Sequence, residues 1–190
     1  FVQCAGSREP EQHNPHCSKV CCMYTAKQAI LYRHRVHHGQ TYIFYIDIRA
    51  GGKRYDEFTQ RAMEEERAVY LRGKVSRIFQ EGDKVMVWGA DTLSGRQVKI
   101  AADLVVVAPA ILPRPSTRRL AEMLALEIDD AGWLLSPNGN LQPVNTQRPG
   151  VFLAGTDIGP MDIPETVAHA SGAAAKVLRL FSRWASQEFD

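Results

Sequence analysis

Cysteine is missing from everything after position 22. The four that occur, Cys4, Cys17, Cys21 and Cys22, all lie in the opening segment of a 190-residue chain. A disulfide framework spreads its cross-links to close long loops, so this distribution excludes one. Adjacent Cys21 and Cys22 also make a poor mutual bridge, because the geometry strains the peptide between them. Long apolar runs are missing too: the longest, Leu104 to Leu112, has nine residues with Pro109 inside it, too short for a membrane span. Charge of one sign is not in excess, since 23 Lys and Arg stand against 21 Asp and Glu. That removes the basic field expected of a nucleic-acid partner. No Gly-x-Gly-x-x-Gly occurs among the 14 glycines, so the turn that cradles a dinucleotide pyrophosphate is absent. No Ser/His/Asp, Cys/His or paired-carboxylate constellation stands out, and no catalytic side chain is assigned. Repeats and low-complexity tracts are lacking. The chain opens at Phe1 without a basic or apolar leader, which reads as a cytoplasmic protein and as a piece of something longer.

What is present is an ordinary globular composition, 45% hydrophobic and 23% charged, with enough chain for a sizeable core. The cysteine spacing, C-x12-C-x3-C-C, brings four thiolates from one short segment, the donor set of a soft metal centre. It matches neither ferredoxin run nor a paired zinc ribbon, so iron–sulfur and Zn(II) both remain open. His13 and His16 are near enough in sequence to serve as substitute zinc ligands, and equally fit a polar loop. Asn14-Pro15 supplies a turn that folds the arm carrying Cys4 back toward the following helix. On a helix running from Ser18, Cys17 and Cys21 share a face and Cys22 lies about 100° further round. A compact centre therefore needs an irregularity in the first turn.

Helix formers and an apolar stripe (Val20, Met23, Tyr24, Ile30, Leu31) predict a helix over Ser18 to His34. Thr41 to Ile48 and Asp103 to Ala108 lack polar alternation and read as strands covered on both faces, as in a parallel sheet. Tyr55 to Glu66 predicts an amphipathic helix, and Val69 to Leu71 a short strand. Lys74 to Gln80, Lys84 to Trp88 and Gln97 to Ile100, punctuated by Gly82-Asp83 and Ser94-Gly95, predict an antiparallel meander. Pro113, Pro115 and the polar stretch to Arg119 read as a boundary between lobes. Val151 to Gly155 predicts a strand, and Asp162 or Ile163 to Trp184 a long helix with Pro164 in its first turn. The fold class is α/β: a central parallel sheet with a three-stranded antiparallel meander, divided into lobes 1–113 and 114–190.

Two features resemble the C-terminal half of two-dinucleotide-fold flavoproteins of the thioredoxin reductase type. They are the meander feeding Ala102–Pro113, and Pro149-Gly-Val-Phe-Leu-Ala-Gly-Thr156 followed by a helix rich in small residues. The resemblance implies that Gly155, Thr156 and Asp157, with the helix start at Ile163, Pro164 and Glu165, face FAD. Thr156 stands where those enzymes carry Asp, which moves the polar contact toward Asp157. Pro109-Ala110 replaces a Thr-Gly and removes an N–H. His169, on the same helix, either approaches the flavin or packs as a hydrogen-bonded side chain.

Four further stretches, Phe1–Arg8, Cys17–Tyr24 with Lys27, Tyr42–Arg49 and Gly155–Pro164, resemble the A subunit of heterodisulfide reductase along essentially the whole chain. That family implies a 4Fe–4S cluster on Cys4, Cys17, Cys21 and Cys22, Lys27 near the flavin N5 edge, and an oxidoreductase component that bifurcates or confurcates electrons. Its implied partners are the other subunits of such a complex and ferredoxin-type carriers. The missing glycine motif leaves half of an FAD site here, so 1–113 is expected to carry the cluster and 114–190 the C-terminal part of the FAD lobe, inactive alone. The alternatives are a zinc-stabilised, non-enzymatic interaction module and a metal-free thiol–disulfide oxidoreductase using Cys21 and Cys22.

Overall fold

The computed structural model describes residues 1–187, with side chains as far as Ser182. Two compact units divide the chain, Phe1–Ala110 and Ile111–Asp190. Among the described residues no helix is long and apolar enough to cross a membrane.

The first unit alternates strands and helices: β1 (Val2–Ala5), α1 (Cys21–Arg35), β2 (Tyr42–Tyr45), α2 (Tyr55–Glu64) and β3 (Val69–Arg72). A meander follows, β4 (Val75–Glu81), β5 (Lys84–Asp91) and β6 (Arg96–Ala102), and then β7 (Val107–Pro109). β1, β2, β3 and β7 form a parallel sheet in the order β3-β2-β1-β7, with Tyr42 to Tyr45 in register with Val69 to Arg72. The meander is a separate antiparallel sheet, β4-β5-β6. The predicted combination of sheets is therefore the observed one. Gly89 lets the meander approach the parallel sheet, because a Cβ there would stand 2.7 Å from a ring carbon of Phe44.

Helix α1 packs on the sheet through small residues. Its buried face is Cys21, Cys22, Thr25, Ala26, Ala29 and Ile30, with Ala29 against Ile43 and Ala68, and Ala26 against Ala62. Of the expected stripe of larger residues Ile30 lies on that face, whereas Leu31 is 52% exposed. Alanine brings helix and sheet axes close, and close packing, rather than residue hydrophobicity, selects the contact face.

Several predicted boundaries move. α1 begins at Cys21, not Ser18, because Lys19 adopts a left-handed φ of 62° that breaks the helical path. β2 ends at Tyr45, and residues 46–49 turn off the sheet. β7 keeps only three residues, with Leu104 72% exposed. It lies at the sheet edge, where the missing N–H of Pro109 costs no ladder bond.

In the second unit the polar stretch after Pro113 is a helix, α3 (Pro115–Leu124), with Pro115 in its first turn. The expected strand over 151–155 is reduced to one isolated bridge, Asn145 with Phe152. A 3₁₀ turn, Thr156–Ile158, leads to α4 (Ile163–Gln187). Ala121, Leu134 and Leu153 are the core here, supported by Leu126, Ile128 and Ile158.

Candidate functional site

Strand order in the parallel sheet reverses about β1: β2 and β3 lie on one side and β7 on the other. The crevice beyond the carboxyl ends at such a switch point is the usual ligand position in open α/β sheets. Cys4 sits there, at the end of β1. Ala5 is three residues beyond Val2 while its partner Pro109 is two beyond Val107, so β1 carries one extra residue, a bulge. Cys4 itself has a φ of 59°, a conformation seldom adopted by a residue with a Cβ. Bulges and left-handed side-chain residues re-aim side chains at functional positions.

The arm after Cys4 folds back as the Asn14-Pro15 turn predicts. Asn14 donates its backbone N–H and its side-chain amide to the Gly6 carbonyl at 3.2 and 2.9 Å. Arg8 N–H donates to the His16 carbonyl at 3.1 Å. The buried hydroxyls of Ser7 and Ser18 hydrogen-bond at 2.8 Å, and this fixes the approach to α1.

Cys4, Cys21 and Cys22 are 5%, 2% and 3% exposed. The Cys21 thiol is hydrogen-bonded to Cys22 and to Cys4. Those bonds push the Cys21 thiol strongly up, so it keeps its proton, and burial adds to the effect. Its two neighbours move the other way. The bond from Cys21 brings Cys4 down to about 7, helped by the Arg8 charge. Cys22 falls to about 7 through the same thiol and the Arg49 backbone N–H, which lies 3.4 Å from its sulfur. Cys17 stands apart on the loop before α1, half-buried, accepting the Lys19 N–H at 3.3 Å. It shares no helix face with Cys21, contrary to the reading of a helix from Ser18. All four cysteines are free thiols. Among the described residues, no group of three or more His, Cys, Asp or Glu is arranged to hold a metal ion.

The surroundings suit an anionic sulfur centre. Gln3 Nε2 and Thr25 Oγ are buried without hydrogen-bond partners, although Gln3 Oε1 lies 3.7 Å from the Cys22 sulfur. Thr25 shares the buried face of α1 with Cys21 and Cys22. The start of α1 has no side-chain cap and no acid in its first turn, so its dipole and unbonded N–H groups are left to the thiols. Unpaired donors, amide N–H bonds to sulfur and nearby guanidinium groups are what a cluster held by thiolates requires. The donor set fits such a group in its chemistry. Neither Gln3 nor Thr25 is distinguished by sequence; their burial and unmet donors reveal them.

Lys27 is exposed on α1, away from the thiol face. The remaining predicted residues lie in the second unit. Gly155 turns the chain with a φ of 82° and donates its N–H to His169 Nδ1 at 2.9 Å. With Nδ1 accepting, His169 Nε2 donates to the Pro143 carbonyl at 3.0 Å. His169 is thus the hydrogen-bonded packing histidine, and Gly155 spends its amide on it. Thr156 begins the 3₁₀ turn. Asp157 accepts the Ala154 N–H at 3.4 Å through Oδ2, while its Oδ1 is buried and unpartnered. Burial holds this carboxyl above its ordinary value. At the start of α4, Asp162 and Glu165 form a reciprocal capping box: Glu165 N–H donates to Asp162 Oδ1 at 2.8 Å and Asp162 N–H to Glu165 Oε2 at 3.1 Å. Ile163 and Pro164, both exposed, lie inside it.

No family model matches the chain. Among curated proteins it is 41% identical over 179 residues to the iron-sulfur A subunit of CoB–CoM heterodisulfide reductase from Methanocaldococcus jannaschii, covering 93% of this chain and 27% of that protein. The chain is similar in sequence to the A subunit of heterodisulfide reductase. A protein of Archaeoglobus profundus, described as like that same A subunit, is 40% identical over 183 residues, 96% of this chain and 26% of that one. The chain thus spans about a quarter of the length of these curated relatives. Among solved structures, thioredoxin reductase from Lactococcus lactis superposes with a TM-score of 0.57 at 20% identity, over 87% of this chain and 50% of that one. The chain therefore shares the thioredoxin reductase fold.

Proposed function

We propose that this chain is part of an FAD- and 4Fe–4S-dependent electron-transfer oxidoreductase, of the heterodisulfide reductase kind, engaged in electron bifurcation or confurcation. The observation that carries the reading is the trio of buried thiols at the uncapped start of α1. Two of the three are brought down to about 7, and the Gln3 amide and Thr25 hydroxyl nearby are buried without partners. Cys4, Cys17, Cys21 and Cys22 would be the cluster ligands. A cluster there supplies single-electron transfer and FAD supplies two-electron transfer, the redox chemistry belonging to the cofactors. The protein's part is to exclude water from the thiols, offer N–H groups to sulfur and fix charge around them.

In the flavin-facing role, Gly155, Thr156, Asp157, Ile163, Pro164 and Glu165 would hold FAD, with the unpartnered Asp157 Oδ1 as the acceptor for a hydroxyl. Lys27 offers an unpaired cation for the electron-rich ring edge. On this reading 1–113 is the cluster-bearing lobe and 114–190 the C-terminal part of the FAD lobe. The partners are the other subunits of such a complex and ferredoxin-type carriers, in the cytoplasm. The test is an anaerobic count of iron, acid-labile sulfide and flavin on the complete native protein, with Cys21→Ser beside it. Four irons and four sulfides per extra site, lost in the variant, are expected of one cubane. A colourless protein with stoichiometric zinc, or iron unchanged in Cys21→Ser, overturns the assignment.

A further inference from the structure

Three charged residues that no ligand assignment uses surround the thiols. The Asp47 carboxylate receives Arg8 Nη1 at 2.7 Å and Arg49 Nε at 3.0 Å on Oδ1, with Arg49 Nη2 3.4 Å from Oδ2. Arg8 belongs to the arm that leaves Cys4, whereas Asp47 and Arg49 follow β2. The segment after β2 also touches a sulfur through its backbone. The Arg49 N–H lies 3.4 Å and the Asp47 carbonyl oxygen 3.7 Å from the Cys22 sulfur.

Stability does not account for this arrangement. The side chains are 24%, 39% and 53% exposed for Arg8, Asp47 and Arg49, and ion pairs of that kind contribute little to folding. Next to a centre that changes charge, the same residues act differently. Cluster potentials follow net charge and hydrogen bonding to sulfur. We infer that Asp47, bridging Arg8 and Arg49, positions two guanidinium groups beside the thiol centre and sets its reduction potential. The inference rests on the four-cysteine cluster reading. Each guanidinium favours the more negative, reduced state, and Asp47 offsets part of that.

The test is a redox titration followed by electron paramagnetic resonance on the complete native protein, with iron and sulfide counted in every sample. Asp47→Asn leaves the two cations uncompensated and should raise the potential; Arg49→Gln removes one and should lower it. A change of about tenfold in the reduced-to-oxidised ratio, about 59 mV for a one-electron couple, is expected in each direction. Arg49→Lys, which keeps the charge, should recover most of the lowering. A purely structural clamp would lose iron, or shift every variant the same way. Opposite shifts with iron retained support the inference. Unmoved potentials, shifts of one sign, or iron lost from both Asp47→Asn and Arg49→Gln overturn it. Absence of iron from the unaltered protein defeats the cluster reading itself, an outcome distinct from iron present with potentials unmoved.

Discussion

The left-handed backbone of Cys4 offers a direct measure of what the thiol arrangement costs the fold. With φ at 59°, a residue bearing a Cβ loses roughly 1–2 kcal/mol relative to its relaxed conformation. Two substitutions separate that strain from the sulfur. Cys4→Ala deletes the thiol and keeps the Cβ; Cys4→Gly deletes both. Glycine relieves the strain but frees the unfolded chain by about 0.4–1 kcal/mol, so a net advantage of about 1 kcal/mol over alanine remains. For a chain of 190 residues that corresponds to roughly 2–4 °C in Tm. Urea and thermal unfolding of the two variants, in chelator and reductant to remove any metal, provide the comparison. Both variants lack the sulfur, so its burial cancels. If Cys4→Gly is equal to or less stable than Cys4→Ala, the bulge is relaxed and is not held under strain for the direction of the thiol.

Three other outcomes are expected. Lys27→Ala should shift the flavin potential of the complete protein and leave its iron content unchanged; loss of iron instead would move Lys27 to the cluster surroundings. His169→Ala orphans the Gly155 N–H and releases the Pro143 carbonyl, at about 1–3 kcal/mol, measurable as a lower urea midpoint. His169→Gln should recover part of it. Asp157 is held above its ordinary value by burial, so the folded state favours its protonated form. Its contribution to stability is full below the ordinary carboxylate range and disappears as pH rises through the raised value. Asp157→Asn should therefore gain stability relative to the parent from acid to neutral pH; a constant difference in urea midpoint across that range would refute the buried acid.

The parts of the fold that local chemistry decides are legible in the sequence. Gly82-Asp83 and Ser94-Gly95 do place the meander turns, and the strands they join pair in antiparallel register. The parts decided by packing are not. α1 buries Ala26 and Ala29 alongside Ile30 and leaves Leu31 outside, because the partner surface at Ile43, Ala62 and Ala68 demands closeness. Pro115 reads as a breaker yet starts a helix; proline serves both purposes, and Leu120 and Leu124 beyond it carry the helical spacing. The cysteine quartet announces itself by spacing alone, but the left-handed turns at Cys4 and Lys19 that orient it have no signature in residues that are not glycine. Arg8, Asp47 and Arg49 stand inside the motifs that mark the family and still show no role in sequence, since their meeting depends on two loops converging from different strands.

The two long helices treat their first turns in opposite ways. α4 fills its own with the carboxylates of Asp162 and Glu165; α1 begins after Val20 with nothing acidic and two sulfurs in the first two places. A protein engineer seeking a sturdier fold would put aspartate at position 20, a change that ordinarily adds about 1 kcal/mol. Here the new carboxylate would take up the free amides and repel neighbouring thiolates. The sturdier protein would be a poorer host for whatever the sulfurs hold.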